Sequence, residues 1–175
     1  MRTLLAVAAL ALFALPASAL ERGTDGYFHT GDGIRYKKVA FINVKVYAID
    51  HAMKDLPSQK SKQAVIDADT DKRIHWKMLR TVDAEKIRNA LREAYAKNGY
   101  NDSAKIASFV DSIAKELKEG DSVTIRYDAG KKATTITSPG GTATVPGEEF
   151  MKATWSIWFG KIDQKDLGDE LLKGF

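Results

Sequence analysis

The sequence predicts an α+β open-faced sandwich, a curved antiparallel sheet covered on one face by a layer of helices, on three observations. The apolar residues repeat with period two over residues 40–48, 74–82 and 123–127, and with the helical period over residues 87–95, 106–117 and 150–158. Short turn signals such as Asp128-Ala129-Gly130-Lys131 and Ser138-Pro139-Gly140-Gly141 join neighbouring strands directly, as antiparallel pairing allows. Each helical stripe is apolar on one face only, so the helices need an apolar partner, and the strand faces are the surface available. No internal repeat or low-complexity linker divides the chain.

The first residues read as an address. Arg2 precedes an uncharged apolar run from Leu4 to Leu15, Pro16 breaks it, and Ala17-Ser18-Ala19 offers a small-x-small cleavage site. This predicts a signal peptide over residues 1–19, a single domain over residues 20–175, and a periplasmic or secreted location. Pro16, Glu21, Arg22 and Gly23 cut the run short of the roughly 20 apolar residues of a membrane span, so no transmembrane anchor is expected after cleavage. The chain has no cysteine, which excludes a lipid anchor on cysteine, disulfides and thiol chemistry. The net charge of +4 is spread without a block of five like charges, so the composition does not suggest a nucleic-acid partner.

Taken in order, residues 21–29 read as a loop or short edge strand. Gly31-Asp32-Gly33-Ile34-Arg35 then leads into one long extended segment reaching Ile49, with the glycines allowing a tight backbone turn before Arg35. Its even positions Ala40, Ile42, Val44, Val46 and Ala48 form a wholly apolar face expected to be covered. Residues 50–61 read as loop. A second strand, Lys72 to Val82, puts Ile74, Trp76, Met78 and Val82 inward and Arg73, His75, Lys77 and Thr81 outward. Asp83 caps a helix striped by Ile87, Ala90, Leu91, Ala94 and Tyr95 and ended by Asn98-Gly99. Asp102 or Ser103 caps another, with Ile106, Phe109, Val110, Ile113 and Leu117 inward and Gly120 as its stop. Strands at Val123–Tyr127, Lys132–Thr137 and Thr142–Val145 follow. Glu148 and Glu149 open a third helix through Trp158, and Asp163–Leu172 forms a short terminal one.

Chemistry is sparse. His29, His51 and His75 have no partner at metal-ligand spacing, and His75 reads as a solvated strand-face residue. Asp67, Asp69 and Asp71 alternate, but a calcium loop would need glycine at its sixth position and an acid at its twelfth, where Lys72 and Met78 stand. Gly31 and Gly33 precede a strand, whereas a dinucleotide fingerprint follows one. No metal or organic cofactor is expected. Trp76, Trp155 and Trp158 read as core aromatics, and the same rings would serve as walls of an apolar pocket.

As a whole the pattern resembles the chalcone isomerase-like family. The residues that carry the likeness are Gly31 to Arg35 ahead of a strand through Val46-Tyr47, then Leu79-Arg80-Thr81-Val82 followed by Asp83-Ala84-Glu85-Lys86-Ile87. They continue with Glu119-Gly120-Asp121 before Val123-Thr124-Ile125-Arg126-Tyr127, and Pro146-Gly147-Glu148-Glu149-Phe150 leading to Ile157-Trp158-Phe159-Gly160. The resemblance is to a bacterial branch of the family, many of whose members carry signal peptides. The resemblance implies a cleft between sheet and helices, where plant enzymes close a flavanone ring and non-catalytic members bind fatty acids. It places the enzymes' arginine at Arg35, their catalytic threonine near Ile42, which has no hydroxyl, and their tyrosine and asparagine near Asp83 and Ala90. The expectation is an exported binding protein for a fatty acid or similar amphipathic carboxylate, with Arg35, Tyr47 and Trp76 as ligand-binding residues and no catalytic set. The alternatives are an isomerase of the chalcone-flavanone type and a protein-interaction module.

Overall fold

The computed structural model describes residues 20–175; the leader expected over residues 1–19 lies outside them. The elements run β1 (Phe28–Val39), β2 (Ile42–Met53), α1 (Lys62–Asp67), β3 (Lys72–Met78), α2 (Ala84–Lys97), α3 (Ser103–Val110), β4 (Ser122–Asp128), β5 (Ala133–Ser138), β6 (Gly141–Pro146), α4 (Glu148–Phe159) and α5 (Leu167–Glu170). The six strands form one antiparallel sheet in sequence order, with α1 between β2 and β3, α2 and α3 between β3 and β4, and short turns joining the other neighbours. The α+β sandwich expected from the sequence is the architecture found.

The inner face is set by β3 and β4. Ile74, Trp76 and Met78 are buried, and across the ladder Ile125 pairs with Ile74 and Val123 with Trp76. Helix α4 lies over them with Phe150, Trp155 and Trp158 almost fully buried. Asp83 caps α2 through bonds from the Glu85 and Lys86 N–H groups, and Asp102 caps α3 through the Lys105 N–H, as the sequence indicates. Helix α3 ends at Val110, so Ile113 and Leu117 are buried from a following loop that bridges Leu117 to Val82.

Three features of β1 and β2 correct the sequence reading. The segment expected as one strand is a hairpin that turns at Ala40, whose φ of 53° is left-handed. A bulge follows at Val46: Arg35 opposes Tyr47 while Tyr36 opposes Lys45, which leaves Val46 as the extra residue. Side-chain parity therefore changes there. Val44 faces inward, but beyond the bulge the inward set is Tyr47, Ile49, His51 and Met53, paired with Met78, Trp76, Ile74 and Lys72. Of the apolar face expected at the even positions, Ala40 is in the turn, Ile42 is 69% exposed, and Ala48 opposes Lys77 on the outer face. Finally, Gly31 and Gly33 lie inside β1 and make room for α5. A Cβ on Gly31 would stand 2.4 Å from the Glu170 carbonyl oxygen, and one on Gly33 2.6 Å from Leu167 Cδ1.

A second bulge, at Thr30, turns its side chain into the core. There the Thr30 hydroxyl donates to Leu171 O (2.8 Å) and contacts His51 Nδ1 (2.6 Å), while Trp155 Nε1 donates to His51 Nε2 (3.0 Å). Because Nε2 must accept, the proton of neutral His51 sits on Nδ1 and is donated to Thr30. A charged ring would point an N–H at the indole N–H, and burial in any case holds the His51 pKa well below its usual value. This relay ties β1, β2, α4 and the C-terminal turn together.

The aspartates considered for calcium are used otherwise. Asp69 accepts from the Tyr127 hydroxyl (2.8 Å) and pairs with Lys132, and Asp71 accepts from the Ala129 N–H (2.9 Å). His75 is half-buried on the outer face, with Nδ1 3.1 Å from Thr124 Oγ1.

Candidate functional site

A cavity of about 600 Å³ opens between the β1–β3 end of the sheet and helices α2 and α4. The bulge at Val46 shapes its floor, because it lets Val46 and Tyr47 share one side of β2. Trp76 and Met78 continue the floor on β3, and Ile157 and Trp158 of α4 close the inner end. The roof is α2. The stripe read as a core face is divided: Leu91 and Tyr95 are buried, whereas Ile87, Ala90 and Ala94 face the cavity and are only half-buried or exposed. The sequence could have shown this, since the α2 stripe is built partly from alanines that leave space beneath the helix.

The three residues singled out from the sequence all line this cavity. Tyr47 stacks on Trp76 with centroids 4.9 Å apart and planes 14° from parallel, and Trp76 in turn contacts Trp158 at 5.4 Å. Trp158 Nε1 donates to the Tyr47 hydroxyl oxygen (3.0 Å), and the Tyr47 proton meets no acceptor among the described residues. Burial pushes the Tyr47 pKa up despite that bond and the nearby Arg35 charge, so the phenol stays neutral and keeps its proton to donate. The buried Trp76 Nε1 likewise has no partner among the described residues. A buried donor without an acceptor costs about 1–3 kcal/mol.

Arg35 is held by the segment after α4. Its Nη2 donates to Asp163 Oδ1 (2.6 Å), and its Nη1 donates to Tyr36 O (2.7 Å) and, at 3.4 Å, to Gln164 Oε1. Gln164 also accepts from Tyr36 N (2.9 Å) and donates to Ile34 O (2.8 Å), covering the free edge of β1. Partial burial opposes the charge on Asp163, but the Arg35 charge and hydrogen bond outweigh it and hold the carboxyl below its usual value. The guanidinium is thus preset for a carboxylate and occupied by one from its own chain.

More cationic groups stand round the same cavity. Lys37, Arg80, Lys86, Lys97 and Lys161 line it without an ion pair among the described residues, against the acids Asp83, Glu93 and Asp163. Of the positions that the family resemblance aligned with catalytic groups, Asp83 and Ala90 line the cavity, whereas Ile42 is out on the hairpin tip. The described residues bring no cluster of His, Asp or Glu together that suits a metal ion.

An antiparallel sheet roofed by helices, with an apolar cavity ringed by cations at one end, is the layout of a small-molecule site. Residues 19–173 match the family model described as chalcone isomerase-like, and the chain belongs to that family. It is similar in structure to a fatty-acid binding protein of Arabidopsis thaliana, with a TM-score of 0.69 at 16% identity over 85% of this chain and 88% of that one. No curated protein sequence matches the chain.

Proposed function

We propose that this chain is an exported bacterial member of its family that binds a fatty acid or similar amphipathic carboxylate without transforming it. The observation that carries the reading is the cavity: an aromatic and aliphatic interior of about 600 Å³ with unpaired cations at its rim. That volume lies in the range of small-molecule sites, roughly 300–1,000 Å³. An alkyl chain would lie against Val46, Trp76, Met78 and Trp158, and the carboxylate would sit where Arg35 and the Tyr47 hydroxyl both donate. To do so it displaces or shares the place of Asp163, which is exposed enough to swing away. The fatty-acid binding title of the similar plant structure supports the same class of ligand. The apolar leader supports export.

Ring closure is not part of the reading. Orienting a phenolate and stabilising developing charge takes several polar groups at once. The position aligned with the catalytic hydroxyl carries Ile42, which is exposed at the hairpin tip and does not line the cavity. Native mass spectrometry of protein purified without denaturation tests the proposal. A co-purifying acyl carboxylate is the expected result, and protein that emerges without ligand and takes up no added fatty acid would overturn it.

A further inference from the structure

The large apolar side chains exposed by the described residues gather at one end of the molecule. Val39 (55%), Phe41 (97%) and Ile42 (69%) stand at the β1–β2 turn. Leu79 (37%) lies at the base of that hairpin, its N–H donating to Val46 O at 2.9 Å. The β2–β3 pairing stops at Tyr47–Met78, whereas β1 and β2 go on pairing out to Val39–Ile42. Residues 37–45 are therefore a free two-stranded ribbon, roughly 15 Å long at about 3.4 Å per residue.

A phenylalanine at the tip of such a ribbon contributes nothing to the folded monomer, and a contiguous exposed apolar patch marks contact with another molecule or phase. The surrounding charge says which. Lys37, Lys38 and Lys45 flank the tip, Arg80 follows Leu79, and no acidic residue occurs between Asp32 and Asp50. Apolar residues at the point and cations behind them match the layering of a bilayer interface, where shallow apolar insertion and attraction to anionic headgroups add. A second copy of the chain would bring the same basic collar and be repelled.

We propose that the β1–β2 ribbon is a membrane-docking wedge that inserts Phe41 and Ile42 into the interface of an anionic bilayer while Lys37, Lys38 and Lys45 hold its headgroups. Lys37 and Val39 also line the cavity, so docking sets the cavity mouth against the lipid surface. That last consequence rests on the proposed ligand class, but the docking itself does not.

The chain has no cysteine, so a single one can be labelled. Asn43→Cys carries an environment-sensitive nitrobenzoxadiazole dye at the tip, and Gly130→Cys carries it at the β4–β5 turn, the opposite end of the sheet. Both are full-length chains, so any membrane affinity of the leader acts on both equally, and no fatty acid is added. On vesicles containing phosphatidylglycerol the tip dye is expected to brighten and shift to the blue while the Gly130 dye does not. Phe41→Asp should abolish the shift, and Lys37→Glu with Lys38→Glu should weaken vesicle affinity by about tenfold or more. Absence of a shift at the tip, equal shifts at both sites, or an equal response to pure phosphatidylcholine would overturn the proposal. A shift that grows with protein concentration in the absence of vesicles would also overturn it and assign the ribbon to a protein contact.

Discussion

Replacing Lys72 by methionine should remove most of the alkaline rise in stability of this protein. Lys72 is fully buried at the start of β3. Its Nζ donates to Val65 O (2.7 Å) and Ile66 O (3.1 Å), the carbonyls that α1 leaves open at its last turn, and lies 4.9 Å from the Trp155 ring centre. No carboxylate touches it, and desolvation brings its pKa from 10.5 down to about 7. The folded pKa lies below the unfolded one, so between those values the unfolded chain binds the proton more tightly. Stability must then rise with pH from about 7 toward 10.5. The full shift corresponds to roughly 5 kcal/mol, of which about 2 kcal/mol falls between pH 7 and pH 9. Urea unfolding of wild type and Lys72→Met at pH 7, 8 and 9 isolates it, because every other titrating group is common to both. The difference between the two proteins should move by about 2 kcal/mol in favour of wild type across that interval. Parallel curves would show that the two carbonyls and the indole face hold the ammonium at an ordinary pKa, and the reasoning from burial would fail.

Arg35→Ala should weaken fatty-acid binding about ten- to a hundredfold by calorimetry, with Arg35→Lys recovering only part and the melting point of either nearly unchanged. Asp163→Asn should do the opposite and tighten binding severalfold, since it removes the carboxylate that competes for Arg35. Stability should fall as pH drops below about 6.5, because unfolded His51 takes up a proton that its buried place between Thr30 and Trp155 refuses; a pH-independent melting point between pH 7 and 5 would contradict the relay. N-terminal sequencing of the exported protein should begin at Leu20, and an intact Met1 would refute the cleavage expected after Ala19.

Much of the fold was legible because its signals are local. The Asp83 and Asp102 caps, the alternation in Lys72–Met78 and the turns between β4, β5 and β6 each rest on a few adjacent residues. The missed features depend on distant partners. Ala40-Phe41 lacks the glycine or asparagine that usually marks a two-residue hairpin, so the turn was hidden in an apolar run. The bulges at Thr30 and Val46 are defined only by the register of two strands, and each reverses which alternate residues face inward. Helix α1 has just six residues and a Ser61 cap, too short for a periodic stripe. At the site, Arg35, Tyr47 and Trp76, the residues expected to bind a ligand, line one cavity, but Asp163 and Gln164, which hold Arg35, lie more than a hundred residues away along the chain. The division of the α2 stripe between core and cavity depends on what lies beneath it.

The proposed occupant of the cavity under α2 is an amphipathic carboxylate. Calorimetric titration of wild type and Ala90→Trp with medium- and long-chain fatty acids tests it most directly, because Ala90 lines the cavity on an exposed part of the helix, where a larger side chain can fill the space without disturbing the core. Saturable binding to wild type that strengthens with chain length is expected, with its loss in Ala90→Trp at an unchanged melting point. No heat with any chain length in wild type, or equal binding by the filled variant, would contradict it.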